Sequence, residues 1–543
     1  MKFKLYLIVI VNQVLMSQIS FAQASTETTH LSGSLQTNGN FFLRDTTIGA
    51  TNTPQYDRQL FGAESWFTLK YQRAGYDMGL RFDLFNNSNL LNPQGSFTGQ
   101  GIGRWYIKKK IEDLNIGVGY LYDQIGSGMI FRSYEERSLF IDNALYGVNL
   151  SYNLNPDWKI KAFTGRQKQQ FEVYNGIFKG ANIEGYASDS ASTWSCAPGF
   201  GVVNRTLDDE TVQKVVSTIS TYTLPDSIGA KYNTYLFSLY NKLTIGNFTW
   251  YIEGAYKTNE VFFDPLAEKT NRNGTISLGK LVNRAGNAFY TSLGYTQTGL
   301  GITLEAKRTE NFSFRTHPFV TLNQGAINFL PPMARQNTYR LTARYNAATQ
   351  ENGEQALQLD IKAALSERWQ FDVNLSGTNN LNNNLLYREF NINILRKFEH
   401  DLMTVGLQTQ VYNQSIYEVK PNVPNVQTFI PYIEYAHPIN DKKALRMEAQ
   451  YLYTKQDYGS WAFLLAEYSI APKWVCTISD MYNALPKKTN ALHYPNLAVA
   501  YTQGASRFSV AYVKQVEGVV CTGGICRLEP AFSGIRMNVN TNF

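Results

Sequence analysis

The sequence has no apolar stretch long enough to cross a membrane as a helix, which would need about 20 mostly apolar residues. Its most apolar segments, residues 5–11 and 14–16, are separated by Asn12 and Gln13. The 543 residues include only 4 cysteines and 5 histidines, and the histidines show no pairing with glutamate at the spacing of a metal site. These absences argue against a helical membrane protein and against a histidine-based metalloenzyme.

Linker sequences are also missing. A soluble chain of this length would usually divide into about three or four domains. No Pro/Ser-rich stretch, charge block or low-complexity tract interrupts the sequence from about residue 32 to the end. We therefore expect residues 32–543 to form one structural unit. The formal net charge of +7 is too diffuse to indicate a nucleic-acid partner.

The N-terminus has the pattern of a secretory signal peptide. Lys2 and Lys4 precede the apolar segments, and small residues close the stretch at Ser20 and Ala22. This order predicts a signal peptide over residues 1–22, cleaved after Ala22, and a short N-terminal segment over residues 23–31. The mature protein is therefore expected to be exported.

The C-terminus alternates with a period of two, which is the pattern of a strand with one apolar face. One face carries Ile535, Met537, Val539, Thr541 and Phe543, and the other carries Gly534, Arg536, Asn538, Asn540 and Asn542. Soluble sandwiches also contain such strands, but they rarely end on an aromatic residue in register with the apolar face. We predict that Phe543 ends the closing strand of an outer-membrane barrel and acts as its C-terminal assembly signal.

The same alternation recurs along the chain, as in residues 77–84, 115–123, 357–363, 369–376 and 445–453. The 35 Tyr, 32 Phe and 8 Trp suit aromatic girdles at two membrane interfaces. We predict an all-β fold: a single transmembrane antiparallel β-barrel of roughly 24 strands, with 22 or 26 as alternatives. Long extracellular loops are expected at residues 44–61, 87–100, 125–143, 167–232, 258–285, 309–336, 413–426 and 516–532.

A barrel this wide has an open lumen unless something fills it. The first strand begins soon after the predicted cleavage site, so we expect no separate plug domain, and the best filling element is the loop 125–143, which mixes both charge signs with apolar residues. It is interpreted either as a constriction pinned by ion pairs or as a substrate site. The lumen and constriction candidates are Arg81, Asp83, Arg104, Asp123, Arg132, Glu135, Glu136, Arg137 and Asp142.

The remaining sites are few. Cys521 and Cys526 flank a four-residue turn in an exported chain, which favours a local disulfide over a two-cysteine metal site. Cys196 and Cys476 are expected to stay unpaired. The Asn-rich segments 86–92 and 378–384 lack the carboxylates of a calcium site, and turn chemistry explains them equally well. We expect no cofactor, no metal and no catalytic residues.

The segment 81–93, together with residues 101–106, 134–137 and 142–147, resembles a Bacteroidota family of exported proteins of unknown function. The resemblance is most specific over about residues 30–190, and it implies an outer-membrane barrel without supplying an activity or site residues.

The expected function is porin-like passage of small polar solutes through a lumen narrowed by loops. The alternative is a structural barrel subunit of an outer-membrane protein assembly or secretion complex that binds partner proteins through its long loops. In either case the expected partners are outer-membrane lipids and the barrel assembly machinery during insertion. Surface lipoproteins or other barrels are further candidate partners, and an enzyme is not expected.

Deleting Phe543, or replacing it with Asp, should lower the amount of barrel in the outer membrane without reducing export across the inner membrane. The expected change is several-fold, because the final strand would lose its terminal aromatic residue. Membrane fractionation with immunoblotting measures it, and equal amounts for the wild type and both variants would contradict the assignment.

Overall fold

The computed structural model describes residues 29–191, 193–271, 273–320, 324–487, 490–522 and 525–543. The predicted signal peptide and residues 23–28 lie outside these ranges. Among the described residues, no helix is both long enough and apolar enough to cross a membrane.

A single closed wall of 24 strands dominates the fold, as the alternation predicted. Each strand pairs in antiparallel fashion with the next, and β24 pairs with β1. The first twelve are β1 His30–Phe42, β2 Phe61–Arg73, β3 Tyr76–Ser88, β4 Phe97–Ile111, β5 Leu114–Leu121, β6 Leu145–Asn153, β7 Trp158–Gln169, β8 Glu172–Gly185, β9 Trp194–Thr206, β10 Asn233–Ile245, β11 Phe248–Thr270 and β12 Ile276–Gln297. The other twelve are β13 Leu300–Glu310, β14 Gly353–Ser366, β15 Trp369–Asn379, β16 Leu385–Lys397, β17 Leu402–Tyr412, β18 Val426–Asn440, β19 Lys443–Leu452, β20 Gly459–Ile470, β21 Trp474–Pro486, β22 His493–Gln503, β23 Ser506–Gln515 and β24 Phe532–Asn542.

Short elements lie outside the wall. The helices are α1 Asp209–Ile219, which Asp208 caps by accepting a hydrogen bond from the Thr211 amide, and α2 Gln414–Tyr417. One turn of π-helix, Gln55–Gln59, and two 3₁₀ turns, Arg137–Leu139 and Leu224–Asp226, complete the helical set. The small strand pairs are Asp123–Ile125 with Phe131–Ser133, Glu135–Glu136 with Ile141–Asp142, and Gly518–Thr522 with Ile525–Glu529, while Ala187–Ser188 adds to β9.

The two faces of the wall strands differ as predicted for a membrane barrel. On β3, Leu80 and Phe82 are 46% and 44% exposed, whereas Arg81 and Asp83 are 3% exposed. The same outward apolar row continues around the wall, for example through Val148, Phe237, Leu293, Leu375, Ile478 and Val510. A band of outward apolar side chains is the surface that such barrels present to lipid, and their inward face is polar.

Three parts of the loop prediction were wrong. The predicted loop 309–336 ends too early, because no strand of the wall in the described part of the chain follows Glu310 until Gly353. β8 and β9 lie inside the predicted loop 167–232, so Cys196 belongs to a strand, and the predicted loop 258–285 forms the upper part of β11 and β12. The sequence of β8 lacks a clear alternation, because Gly180 and buried Phe178 lie on its inward face and exposed Lys179 lies on its outward face. The Phe163 ring of β7 lies where a Cβ on Gly180 would be, 2.2 Å from its Cζ. An aromatic ring across a strand glycine stabilises the sheet without leaving an alternating pattern in the strand itself.

The cysteine hairpin is described only in its backbone. Cys521 lies opposite Cys526 in the register of the hairpin, but both side chains lie outside the described part of the structure, so the disulfide stays a prediction. Cys196 and Cys476 are free, and Cys476 is exposed.

Loops inside the barrel form two apolar clusters. Residues 122–144, the first inner loop, contribute Ile130 and Phe131 to a cluster against β7–β12. Residues 311–352, the second inner loop, contribute Phe312 and Phe314 to that cluster and Leu341 to another against β16–β22. The protein core therefore lies within the lumen, and the second inner loop joins its two parts.

The last strand meets the first at the seam between β24 and β1. Gly33 and Phe543 exchange two backbone hydrogen bonds of 2.7 and 3.0 Å. The Phe543 ring lies over Gly33, where an added Cβ would be 2.4 Å from ring atoms Cε2 and Cζ, and it stacks on Phe67 with ring centroids 6.3 Å apart. Only glycine at position 33 leaves room for the ring in this place.

Replacing Gly33 with Val should displace the Phe543 ring and destabilise the seam by about 1 kcal/mol, the scale of one cross-strand side-chain pair. The urea concentration at which the heat-modifiable folded band is lost measures the change. Gly39→Val is the matched control, because it lies on the same face of β1 and its nearest neighbour, Met537 Cβ, is 3.9 Å away.

A double variant tests the cause. If Gly33→Val acts by displacing the Phe543 ring, it should lower the stability only slightly in a protein from which Phe543 has been deleted. If Gly33→Val lowers the stability equally with and without Phe543, or if Gly39→Val lowers it as much, the displaced ring is not the cause of the loss.

Candidate functional site

A buried ion cluster joins the first inner loop to the wall. Arg81 of β3 contacts three carboxylates: its Nε lies 2.6 Å from Asp83 Oδ1, its Nη1 lies 2.6 Å from Glu135 Oε1, and its Nη2 lies 2.7 Å from Asp142 Oδ2. Lys168 at the end of β7 pairs with the same Asp142 oxygen. Because the charges are largely removed from water, each relies on its partners.

The electrostatics favour a charged Asp142. Burial alone raises the pKa of its carboxyl, but Lys168 and Arg81 lower the pKa to about 2 from an ordinary 3.8. The Tyr122 hydroxyl also donates to Asp142 Oδ1 at 2.9 Å. The lowered pKa corresponds to about 2 kcal/mol of stabilisation at neutral pH, which is present above about pH 4 and is lost as the pH falls towards 2.

Four other predicted residues lie around the cluster without joining it. Asp123 pairs with Lys161 of β7 at 3.1 Å, and Glu136 accepts from Ser138 within its own turn. The Arg104 guanidinium lies over the rings of Tyr106 and Tyr122, and that of Arg132 lies over Tyr134 and Phe329. The ninth candidate, Arg137, does reach the cluster through Glu135 at 2.9 Å.

Lys168 was missed by the sequence analysis. It lies inside the predicted loop 167–232, and its inward direction follows from a register shift between Arg166 and Lys168 in the pairing of β7 with β8. A bulge of this kind breaks the period of two. No alternation pattern around position 168 therefore marked the side chain as facing the lumen.

Three buried cations of the wall hold the base of the second inner loop. Lys257 Nζ donates to the Ser313 carbonyl at 2.5 Å, Arg205 Nη1 to the Arg315 carbonyl at 2.7 Å, and Lys307 Nζ to the Pro331 carbonyl at 2.5 Å. Each cation also pairs with a wall carboxylate, Glu260 for the first two and Glu354 for the third. These contacts satisfy carbonyls that would otherwise be buried without a donor.

The second inner loop then crosses the lumen to the opposite wall. Arg335 Nη2 lies 2.7 Å from Asp372 Oδ2 of β15. The Leu341 amide donates to Gln450 of β19 at 2.7 Å, and Gln410 of β17 donates to the Tyr345 carbonyl at 3.3 Å. The loop thus touches both sides of the barrel, which a loop lying only at the rim would not.

At one end of the barrel, the long-loop end, strands are joined by long segments such as 413–425, and at the other, the short-turn end, by turns such as 367–368. Inward-facing side chains become more exposed from the long-loop end to the short-turn end. On β14, Glu354 and Gln358 are buried, Asp360 is half-buried and Lys362 is exposed. On β16 the buried set is Tyr387, Glu389 and Asn391, followed by half-buried Asn393 and Leu395. The inner loops therefore close the long-loop end, and the short-turn end is open to solvent.

The open end is charged, with an uneven distribution. Arg446 of β19 lies among three carboxylates, 3.3 Å from Glu434, 3.2 Å from Glu448 and 3.8 Å from Glu467. On strands β2, β4 and β7, the inward face near the short turns carries the half-buried or exposed lysines Lys70, Lys108, Lys110, Lys159 and Lys161. A carboxylate-rich sector thus lies across the lumen from a lysine-rich one.

Above the inner loops, at the long-loop end, is a cavity of about 1220 Å³, the outer cavity. Its floor includes Arg81, Asp142 and Lys168. Around it lie residues 90–94, the β11 residues 262–266, residues 416–420, and residues 517–519 and 527–528. Within the described ranges, no three His, Cys, Asp or Glu side chains are arranged to hold a metal ion.

The chain belongs to a family of unknown function, DUF6029, whose model matches residues 1–543. Comparison with curated proteins gives no match. The family match agrees with the resemblance seen in the sequence to an uncharacterised family, while the Bacteroidota origin stays a prediction.

Solved structures share the barrel fold at low identity. A chain of the E. coli P pilus tip assembly intermediate PapC-PapD-PapK-PapG has a TM-score of 0.48 and 9% identity, covering 97% of this chain and 64% of that chain. The P pilus usher translocation pore, PapC, has a TM-score of 0.43 and 9% identity, covering 95% and 99%. The siderophore receptor PirA from Pseudomonas aeruginosa has a TM-score of 0.41 and 9% identity, covering 96% and 81%. These likenesses concern the fold alone.

Replacing Asp142 with Asn should loosen the first inner loop by about 2–4 kcal/mol, because Arg81 and Lys168 lose their shared carboxylate. Trypsin cleavage after Arg132 or Arg137 in the reconstituted protein measures the change, and Glu136→Gln is the control from the same loop.

In the wild type, resistance to an acid-tolerant protease should persist to about pH 4 and fall towards pH 2. Equal cleavage of Asp142→Asn, Glu136→Gln and the wild type would rule out the ion cluster as the anchor.

Proposed function

We propose that this protein is a gated, non-enzymatic channel of a bacterial outer membrane, which passes small polar solutes in a porin-like manner. Its two inner loops close the long-loop end. The outward apolar face contacts outer-membrane lipids, and the closing strand with Phe543 is the part that the barrel assembly machinery recognises during insertion. By the usual orientation of such barrels, the long loops face the outside of the cell.

The observation that carries this proposal is the change in exposure along the inward face. A wet, charged lumen at one end offers small polar solutes a path through half of the barrel. Here the inward positions of β14 pass from buried Glu354 to exposed Lys362, so half of a conduit is already open to water. Passage then requires only that the inner loops move.

The ion pairs between the inner loops and the wall suit an element that moves. Buried ion pairs add little net stability relative to apolar residues of the same shape, because desolvation offsets their attraction. Arg335 with Asp372, and Asp142 with Arg81, lie between an inner loop and the wall. Water that enters the lumen on opening solvates both partners, so separating the pairs costs less than exposing an apolar interface of equal area.

A second function, a structural subunit that binds partner proteins, is favoured by the hairpin of β11 and β12. The neighbouring strand β10 pairs with β11 only as far as Lys257, and β13 pairs with β12 only from Asn287. The hairpin therefore rises above its neighbours by about a dozen residues, or roughly 40 Å. Near its tip, Ile276 and Leu278 are exposed, and exposed apolar side chains on an extended hairpin suit protein–protein contacts.

Two deletions separate the two functions. Replacing residues 312–351 with an Asn-Gly turn joins β13 to β14 directly, because Glu310 already pairs with Gly353. In planar bilayers the wild type should be mostly closed, and this variant should show a large, steady conductance, since a barrel of this width without a filling has an aqueous lumen. Replacing residues 265–279 with the same turn trims the hairpin and should leave the lumen closed.

The contrary result is as clear. If both variants stay closed, and a stoichiometric partner from native membranes is lost when the hairpin is trimmed, the protein is a structural subunit and the channel proposal fails.

A further inference from the structure

We infer that the outer cavity is a binding site for an amphipathic small molecule, uncharged or zwitterionic, that carries an apolar or aromatic part. This goes beyond the proposed passage, because a ligand can occupy the outer cavity while the inner loops remain closed. The side chains that line the outer cavity include charged groups that already have partners and apolar groups that are exposed.

The charged groups of the outer cavity are largely paired with one another. Arg81 and Lys168 share Asp142 in the floor, Arg315 lies 2.9 Å from Glu351, and Lys420 pairs with Glu418. A ligand with a strong net charge would have to break such pairs to gain its own. The paired lining therefore disfavours ionic ligands as the main class.

Several apolar side chains of the outer cavity, in contrast, are exposed, and no other part of the described chain covers them. Leu266 is 62% exposed, Val419 81% and Leu528 47%, and Phe263 is also exposed. They come from three separate segments, the β11–β12 hairpin, loop 413–425 and the hairpin within 516–531, and all line the same cavity. Apolar side chains presented from several loops around one concave space are what a ligand with apolar surface requires.

Val419 is held in a strained conformation at this position. Its φ is 52°, in the left-handed region where a β-branched residue is a genuine outlier. Strain of this kind persists where the surrounding structure maintains it, and it occurs often at ligand sites. Glycine would adopt this φ without strain. The chain instead has a valine here, whose side chain lies at the mouth of the cavity although the backbone conformation disfavours it.

The size of the cavity agrees with a small molecule. At about 1220 Å³ it slightly exceeds the range of about 300–1,000 Å³ that drug-sized ligands occupy. The aromatic residues Tyr134 and Phe329, which also line it and flank the Arg132 guanidinium, provide flat surfaces beside the polar floor. The ligand is thus expected to place its apolar part among the loops and its polar part towards the floor.

The test uses the full-length protein in lipid nanodiscs with the uncharged fluorescent probe N-phenyl-1-naphthylamine, corrected against empty nanodiscs. Saturable binding of one probe per barrel is expected. The variant Phe263→Ser/Leu266→Ser/Val419→Ser/Leu528→Ser should bind at least about tenfold more weakly, because the apolar contacts are lost. The matched control, Val216→Ser/Leu224→Ser, removes exposed apolar side chains outside the cavity, of which Leu224 is 92% exposed, and should bind like the wild type.

Val419→Gly keeps the inference testable if the fourfold variant fails to fold. It should raise the thermal unfolding midpoint or leave it unchanged while weakening probe binding, a split that a purely structural role would not produce. An unsaturable signal, or equal binding by the wild type, the fourfold variant and Val419→Gly, would overturn the site. Tighter saturable binding of the anionic 8-anilinonaphthalene-1-sulfonate would overturn the ligand class. Probe binding and thermal unfolding are measured without conductance, so binding at the outer cavity can succeed or fail whether or not the barrel passes solutes.

Discussion

The width of the closed barrel is the constraint on which the rest of the structure depends. Strands in lipid must pair all their backbone groups, so the sheet closes on itself. At 24 strands the inward side chains alone cannot fill the lumen, because only barrels of about eight strands have interiors that their side chains can pack. The interior must therefore be wet or be occupied by other parts of the chain, and this protein does both, at opposite ends of the lumen.

Loops inside a lumen carry backbone groups that need partners. In the part that the structure describes, the second inner loop has little secondary structure of its own, so the wall supplies donors to its carbonyls. Lys257, Arg205 and Lys307 fulfil this role, each with its carboxylate neighbour. Buried charge on the wall is thus a consequence of filling the barrel with irregular chain. At the opposite wall Gln410 donates to the Tyr345 carbonyl without carrying a charge, and Gln450 accepts a hydrogen bond from the Leu341 amide.

The outward face follows a different rule, since lipid offers no hydrogen bonds and rewards only apolar surface. It is therefore regular, and its alternation was readable in the sequence. Glycine also lies under a ring from a neighbouring strand on each face of the wall, Gly33 under Phe543 on the outward face and Gly180 under Phe163 on the inward face. The seam of the barrel shows that a terminal aromatic side chain and a glycine near the first strand's start form one packing unit.

Period-two alternation is a local property of each strand, so it was enough to predict the all-β class and the approximate strand number. The mixed charges of residues 125–143 led to the hypothesis of a loop folded inward near Arg81 and Asp83, which alternation alone does not specify. Only the tertiary structure revealed β8 and β9, the role of Lys168 and the path of the second inner loop across the lumen. These features depend on partners distant in the chain, such as Arg335 with Asp372. A local pattern cannot specify such pairs, since either residue alone looks like an ordinary charged side chain in a loop or on a strand.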